Sequence, residues 1–103
     1  ADNIKEDRTP EDLLFQVMLD LGVLLSSPIE VKEIAGKKVF NVAEGFLLAC
    51  FDHDVTEETV KAIAQMKPYY AVFRDSSMAN DSVATNFDQI FETYSPETVR
   101  KVL

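Results

Sequence analysis

The chain has 103 residues, 47% of them apolar and 10% aromatic, which suits one domain with its own core, since a chain of this size buries roughly two-thirds of its unfolded surface. Asp and Glu outnumber Lys and Arg by 18 to 10, a net charge of −8, and only Lys37-Lys38 and Arg100-Lys101 stand side by side. Clustered Lys and Arg supply most sequence-independent affinity for phosphates, so this composition argues against direct nucleic-acid binding by the domain itself. The longest apolar run, Phe46 to Phe51, is far shorter than the ~18 residues of a membrane-spanning helix, and no basic-then-apolar leader opens the chain. The lone cysteine, Cys50, lies inside that run. It has no internal disulfide partner and is expected to be a reduced, buried thiol in a cytoplasmic protein.

Residues 1–8 hold one large apolar side chain, Ile4, and read as a disordered lead-in to a single domain over 9–103. Thr9 then suits an N-cap and Pro10 the first helical position, with Glu11 and Asp12 placed where the helix dipole favours negative charge. Leu14, Val17, Met18 and Leu21 follow at helical spacing and Gly22 supplies a stop, so the first helix is expected over about 10–22. From Pro28 the period changes to two. Ile29, Val31 and Ile34 alternate imperfectly with charges, and Ala35-Gly36-Lys37 turns into Val39-Phe40-Asn41-Val42, which predicts a hairpin. After a turn at Glu44-Gly45, Phe46 to Phe51 is apolar on both faces and reads as an interior strand, completing an antiparallel meander. Thr56-Glu57-Glu58 opens a second helix with Val60, Ile63, Ala64 and Met66 on its inner face, ended by Pro68. Strand Tyr69 to Phe73 should return parallel to the third strand. A third helix is expected from Asp81 to Tyr94, burying Val83, Phe87, Ile90 and Phe91, and Val99 to Leu103 reads as a last edge strand in preference to a short helix capped at Ser95. The fold class is therefore α/β, or more fully an α+β mixed sheet: a helix, a three-strand antiparallel meander, then a β-α-β-α-β crossover.

The segment Phe73 to Ile90 places a polar run, Arg74-Asp75-Ser76-Ser77, at the carboxyl end of a strand, where open α/β sheets hold ligands. An aromatic strand, then Arg-Asp, an Asn-Asp pair (Asn80, Asp81) and an Asn-x-x-Gln-x-Phe helix (Asn86, Gln89, Phe91) resembles the C-terminal end of the modification subunits of type III restriction-modification systems. Leu13 to Val17, Ser27 to Glu30, Ala35 to Val39 and Leu47 to Phe51 recur in the same order in that family, so the resemblance spans roughly residues 11–103. It implies that the parent protein is an adenine-specific DNA methyltransferase using S-adenosylmethionine. The target-base loop of Asp-Pro-Pro-Tyr type and the Phe-x-Gly-x-Gly turn are both absent here. Hence the chain is expected to be an excised, non-catalytic domain with no cofactor of its own. Its implied role is assembly, with the methyltransferase core, a second modification subunit or the restriction subunit as partner.

Several constellations hold residue types that could carry chemistry. Asp52-His53-Asp54 offers adjacent ligand types, but neighbouring side chains diverge, and a solvated turn is the expectation. Asp52, Arg74 and Asp75 would share one sheet edge if the third and fourth strands are parallel, which gives a rival reading as a small ligand-binding or catalytic crevice. The contact candidates are the loop Arg74, Asp75, Ser76, Met78, Asn80 and Asp81, with Met78 at an exposed tip and Asp81, or Asn80 as the fallback, capping the third helix, and the aromatic pair Tyr69-Tyr70.

Overall fold

The computed structural model of the chain describes residues 9–75, 78 and 80–103; the lead-in expected over 1–8 lies outside them. Thr9 begins the fold. Its hydroxyl accepts the Asp12 N–H at 3.1 Å and caps helix α1 (Pro10–Leu21). Gly22, at φ 77°, ends it, donating its N–H back to the Leu19 carbonyl, in the left-handed conformation that glycine adopts without steric cost. Strands β1 (Ile29–Ile34), β2 (Lys37–Val42) and β3 (Leu47–Cys50) follow, then α2 (Glu57–Gln65), β4 (Tyr70–Phe73), α3 (Asp81–Tyr94) and β5 (Val99–Val102). The five strands lie side by side in chain order. β1–β2 and β2–β3 are antiparallel, whereas β3–β4 and β4–β5 are parallel. This is the expected mixed sheet, with β3 as the strand where meander gives way to crossover.

β3 is buried along its whole length because both faces of the sheet are covered. Val60, Ile63 and Ala64 of α2 and Val83, Phe87 and Phe91 of α3 join Val39, Leu48, Ala71 and Phe73 in one core. Phe73 meets Phe87 and Phe91 edge-on at 5.1 and 6.4 Å, the arrangement that aromatic quadrupoles favour. On the other face Leu14, Val17 and Met18 of α1 pack on Phe40, Val42, Leu47, Ala49 and Val72. β5 is held to α3 by Arg100, which reaches Glu92 at 3.0 Å and lies over the Phe91 ring.

Three local expectations are corrected. Met66 is 44% exposed: α2 ends at Gln65 and Lys67, at φ 54°, turns the chain away before that side chain can reach the core. Phe46 and Tyr69 fall just outside β3 and β4 and are half-exposed. Asn80, not Asp81, caps α3, its Oδ1 accepting the Val83 N–H at 3.1 Å, so Asp81 becomes the first helical residue.

Candidate functional site

Because β3, β4 and β5 run parallel, their carboxyl ends reach one edge of the sheet. There Leu103 N–H donates to the Phe73 carbonyl at 2.9 Å and Asp75 N–H to the Leu103 carbonyl at 3.0 Å, while Val55 and Met78 form an isolated bridge. The residues of the rival crevice reading do not pair with one another at this edge. Asp52 turns towards β2, where Oδ2 accepts the Lys38 N–H at 3.1 Å, satisfying a backbone donor beyond the last β2–β3 pair, Phe40 with Ala49. Arg74 and Asp75 lie on the other side of β3. Among the described residues no ion pair joins Arg74 to Asp52 or Asp75, and no group of three His, Cys, Asp or Glu side chains converges to hold a metal ion. His53 and Asp54 are exposed.

The loop after β4 is more structural than its polarity suggests. Met78, expected at an exposed tip, packs partly buried against the α2–α3 core. Ser76 lies outside the described residues. Asn86 of the Asn-x-x-Gln-x-Phe pattern binds across to α2: Glu57 Oε2 accepts Asn86 Nδ2 at 2.8 Å and Ser82 Oγ at 3.0 Å. These two donors, Asn86 first, hold the Glu57 carboxyl below its ordinary value, because they stabilise the charged form. Phe91 of the same pattern is core. Burial raises the Cys50 thiol above its ordinary range, which disfavours the reactive thiolate.

Tyr69 and Tyr70 lie at the opposite, amino-terminal edge of the parallel strands. With Phe46 they form an aromatic trio, ring centroids 4.7 to 5.5 Å apart, in which Tyr69 is 51% exposed. Beside Tyr69 lies an open cleft of about 510 Å³ between Lys67-Pro68 and Ser95 to Thr98. Its polar groups satisfy one another: the Thr98 hydroxyl donates to the Pro68 carbonyl at 2.6 Å and pairs with Ser95 at 2.5 Å. The two contact regions expected from the sequence are thus at opposite ends of the sheet.

Further exposed apolar side chains lie elsewhere, on the α1 face. Cα partners in a sheet share a face, so the pairing of Val31 with Phe40 and of Ile29 with Val42 puts Ile29 and Val31 on the α1 side, as does the pairing of Val99 with Tyr70 at the far end. One helix is about 10–12 Å wide while five strands at about 4.8 Å spacing span roughly 19 Å. α1 sits over the middle of the sheet and leaves both flanks bare. Val31 is 59% and Val99 45% exposed. Glu11 at the start of α1 reaches Lys38 of β2 at 3.4 Å, and Phe15 and Leu19 of the same helix are exposed. Leu24 and Leu25 in the connection to β1 are exposed as well. The sequence signal for this surface was a first helix apolar well beyond one stripe, with Leu13, Phe15 and Leu19 added to its inner face. No family model matches the chain, and comparison with curated proteins gives no match.

Proposed function

We propose that this chain is a non-catalytic assembly domain of the modification subunit of a type III restriction-modification system, a cytoplasmic adenine-specific DNA methyltransferase. The observation that carries the assembly reading is the bare apolar flank of the α1 face, where Phe15, Leu19, Leu24, Leu25, Ile29 and Val31 are all exposed. Exposed apolar surface beyond scattered single side chains commonly marks a protein–protein contact. The resemblance of Phe73 to Phe91 and of the upstream segments supplies the parent enzyme. Catalysis and S-adenosylmethionine then belong to another part of the polypeptide, and the partner is the methyltransferase core, a second modification subunit or the restriction subunit. The net charge of −8 keeps the domain off DNA phosphates and favours a protein partner. The rival crevice reading is weakened by Asp52, whose carboxylate is engaged at β2.

Three measurements test the proposal. Mixed with duplex DNA and S-adenosylmethionine, the chain should transfer no methyl group, and its DNA affinity at physiological salt should be no tighter than roughly 10⁻⁴ M. Deleting residues 9–103 from the parent should abolish subunit assembly. Methyl transfer by the chain alone, or intact assembly after the deletion, would overturn it.

A further inference from the structure

β1 is an edge strand, paired on one side with β2 and on the other with nothing among the described residues. Its hydrogen-bonding parity is fixed. The two-residue turn closes Ile34 against Lys37, and Ala43 donates its N–H to the Pro28 carbonyl at 2.8 Å. Antiparallel ladders alternate, so Pro28, Glu30, Lys32 and Ile34 direct their backbone groups to β2. Ile29, Val31 and Glu33 therefore turn N–H and C=O outward, an open template for another strand.

We infer that the β1 edge pairs with β1 of a second copy of this chain, antiparallel about a two-fold axis through Val31. The inference rests on the assembly reading and names its partner and register. Opposed residues in an antiparallel pair share a face, so a two-fold arrangement must match odd residues with odd and even with even. Three registers keep most of the strand paired. Centred on Glu30 it sets Glu30 against Glu30, and centred on Lys32 it sets Lys32 against Lys32, both like-charge clashes. Centred on Val31 it sets Glu30 against the partner's Lys32 and Lys32 against the partner's Glu30, two complementary pairs at non-hydrogen-bonded positions, where side chains approach most closely. The outward groups of Ile29, Val31 and Glu33 then meet their counterparts in phase. The same axis continues the sheet through both copies and sets Val31 against Val31 of the second copy on the α1 face, with Ile29 of each copy opposite Glu33 of the other. Charges on an edge strand commonly guard against such pairing; here the pattern forbids two registers and favours the third.

Sedimentation equilibrium of the chain and its charge variants tests this. The unsubstituted chain should dimerise at a loading of about 100 µM. Glu30→Lys and Lys32→Glu should each weaken the dimer at least about tenfold, and the double swap Glu30→Lys/Lys32→Glu should restore it to within about threefold. These β1 side chains are exposed, and unchanged circular dichroism and melting would separate lost pairing from lost folding. Val31→Cys should oxidise to a symmetric cross-linked dimer, since opposed Cα atoms in a hydrogen-bonded pair lie about 5.5 Å apart, within disulfide range. Glu33→Cys should not cross-link. A dimer indifferent to the charge variants and uncross-linked at Val31 would overturn the β1 register while leaving assembly through another face intact. A chain that is monomeric at that loading would overturn self-pairing outright, and the deletion from the parent then decides the assembly reading by itself.

Discussion

Thr59 lies on the inner face of α2, fully buried, and its hydroxyl is the buried side-chain group without a hydrogen-bond partner among the described residues. A buried unsatisfied hydroxyl costs about 1–3 kcal/mol, so Thr59→Val, which keeps the shape, should raise the stability by about 1 kcal/mol in urea denaturation. A loss of that size would mean that the hydroxyl is engaged. The cap of α3 offers a second test. Asn80→Ala should cost about 1 kcal/mol and Asp81→Ala only a few tenths, because Asn80 Oδ1 holds the Val83 N–H whereas Asp81 merely adds charge to the first turn. Equal losses would return the cap to Asp81. Both residues are good caps by type, and the sequence could not choose between neighbours, since helix boundaries shift by a residue at no cost in pattern.

At the scale of elements, the β1–β2 hairpin carries a local conflict. Its two-residue turn has Ala35 at φ 51° and Gly36 at φ 78°, the mirror-image turn that suits the twist of the strands but penalises a Cβ at the first position. Ala35→Asn should stabilise the domain by roughly 0.5–1 kcal/mol through relief of that penalty, read as a raised melting temperature; no rise would mean another turn geometry. The hairpin itself was legible from alternating residues and the glycine. The contact of α2 with α3 through Glu57, Ser82 and Asn86 was not, because it joins positions 25 and 29 residues apart with no periodic signature. Since its folded carboxyl titrates below the ordinary 4.5, Glu57 contributes stability that is complete above the unfolded value and lost as pH falls through the folded one. Wild type should therefore exceed Glu57→Gln in stability at pH 6, and the gap should close towards pH 3. A gap that persists at pH 3 would remove the ionised carboxylate as its cause.

For the whole molecule, hydrophobic period and turn chemistry were enough to order the three α-helices and five strands of the described residues, because each element's apolar pattern agrees with the layer it enters. The site was less legible. Arg74 and Asp52 looked like neighbours in a crevice because strand direction alone brings their segments to one edge, yet the open end of the β2–β3 ladder claims the Asp52 carboxylate. The bare flank depends on how many strands one helix can cover, a quantity that exists only once the sheet is assembled. The most direct test of an assembly role is sedimentation velocity of the parent protein carrying Phe15→Ser and Leu19→Ser. Both side chains are exposed, 43% and 60%, so the domain's own stability should change by no more than about 0.5 kcal/mol per site. The account predicts that association with the partner subunit falls sharply while the domain stays folded; association at the wild-type level would contradict it.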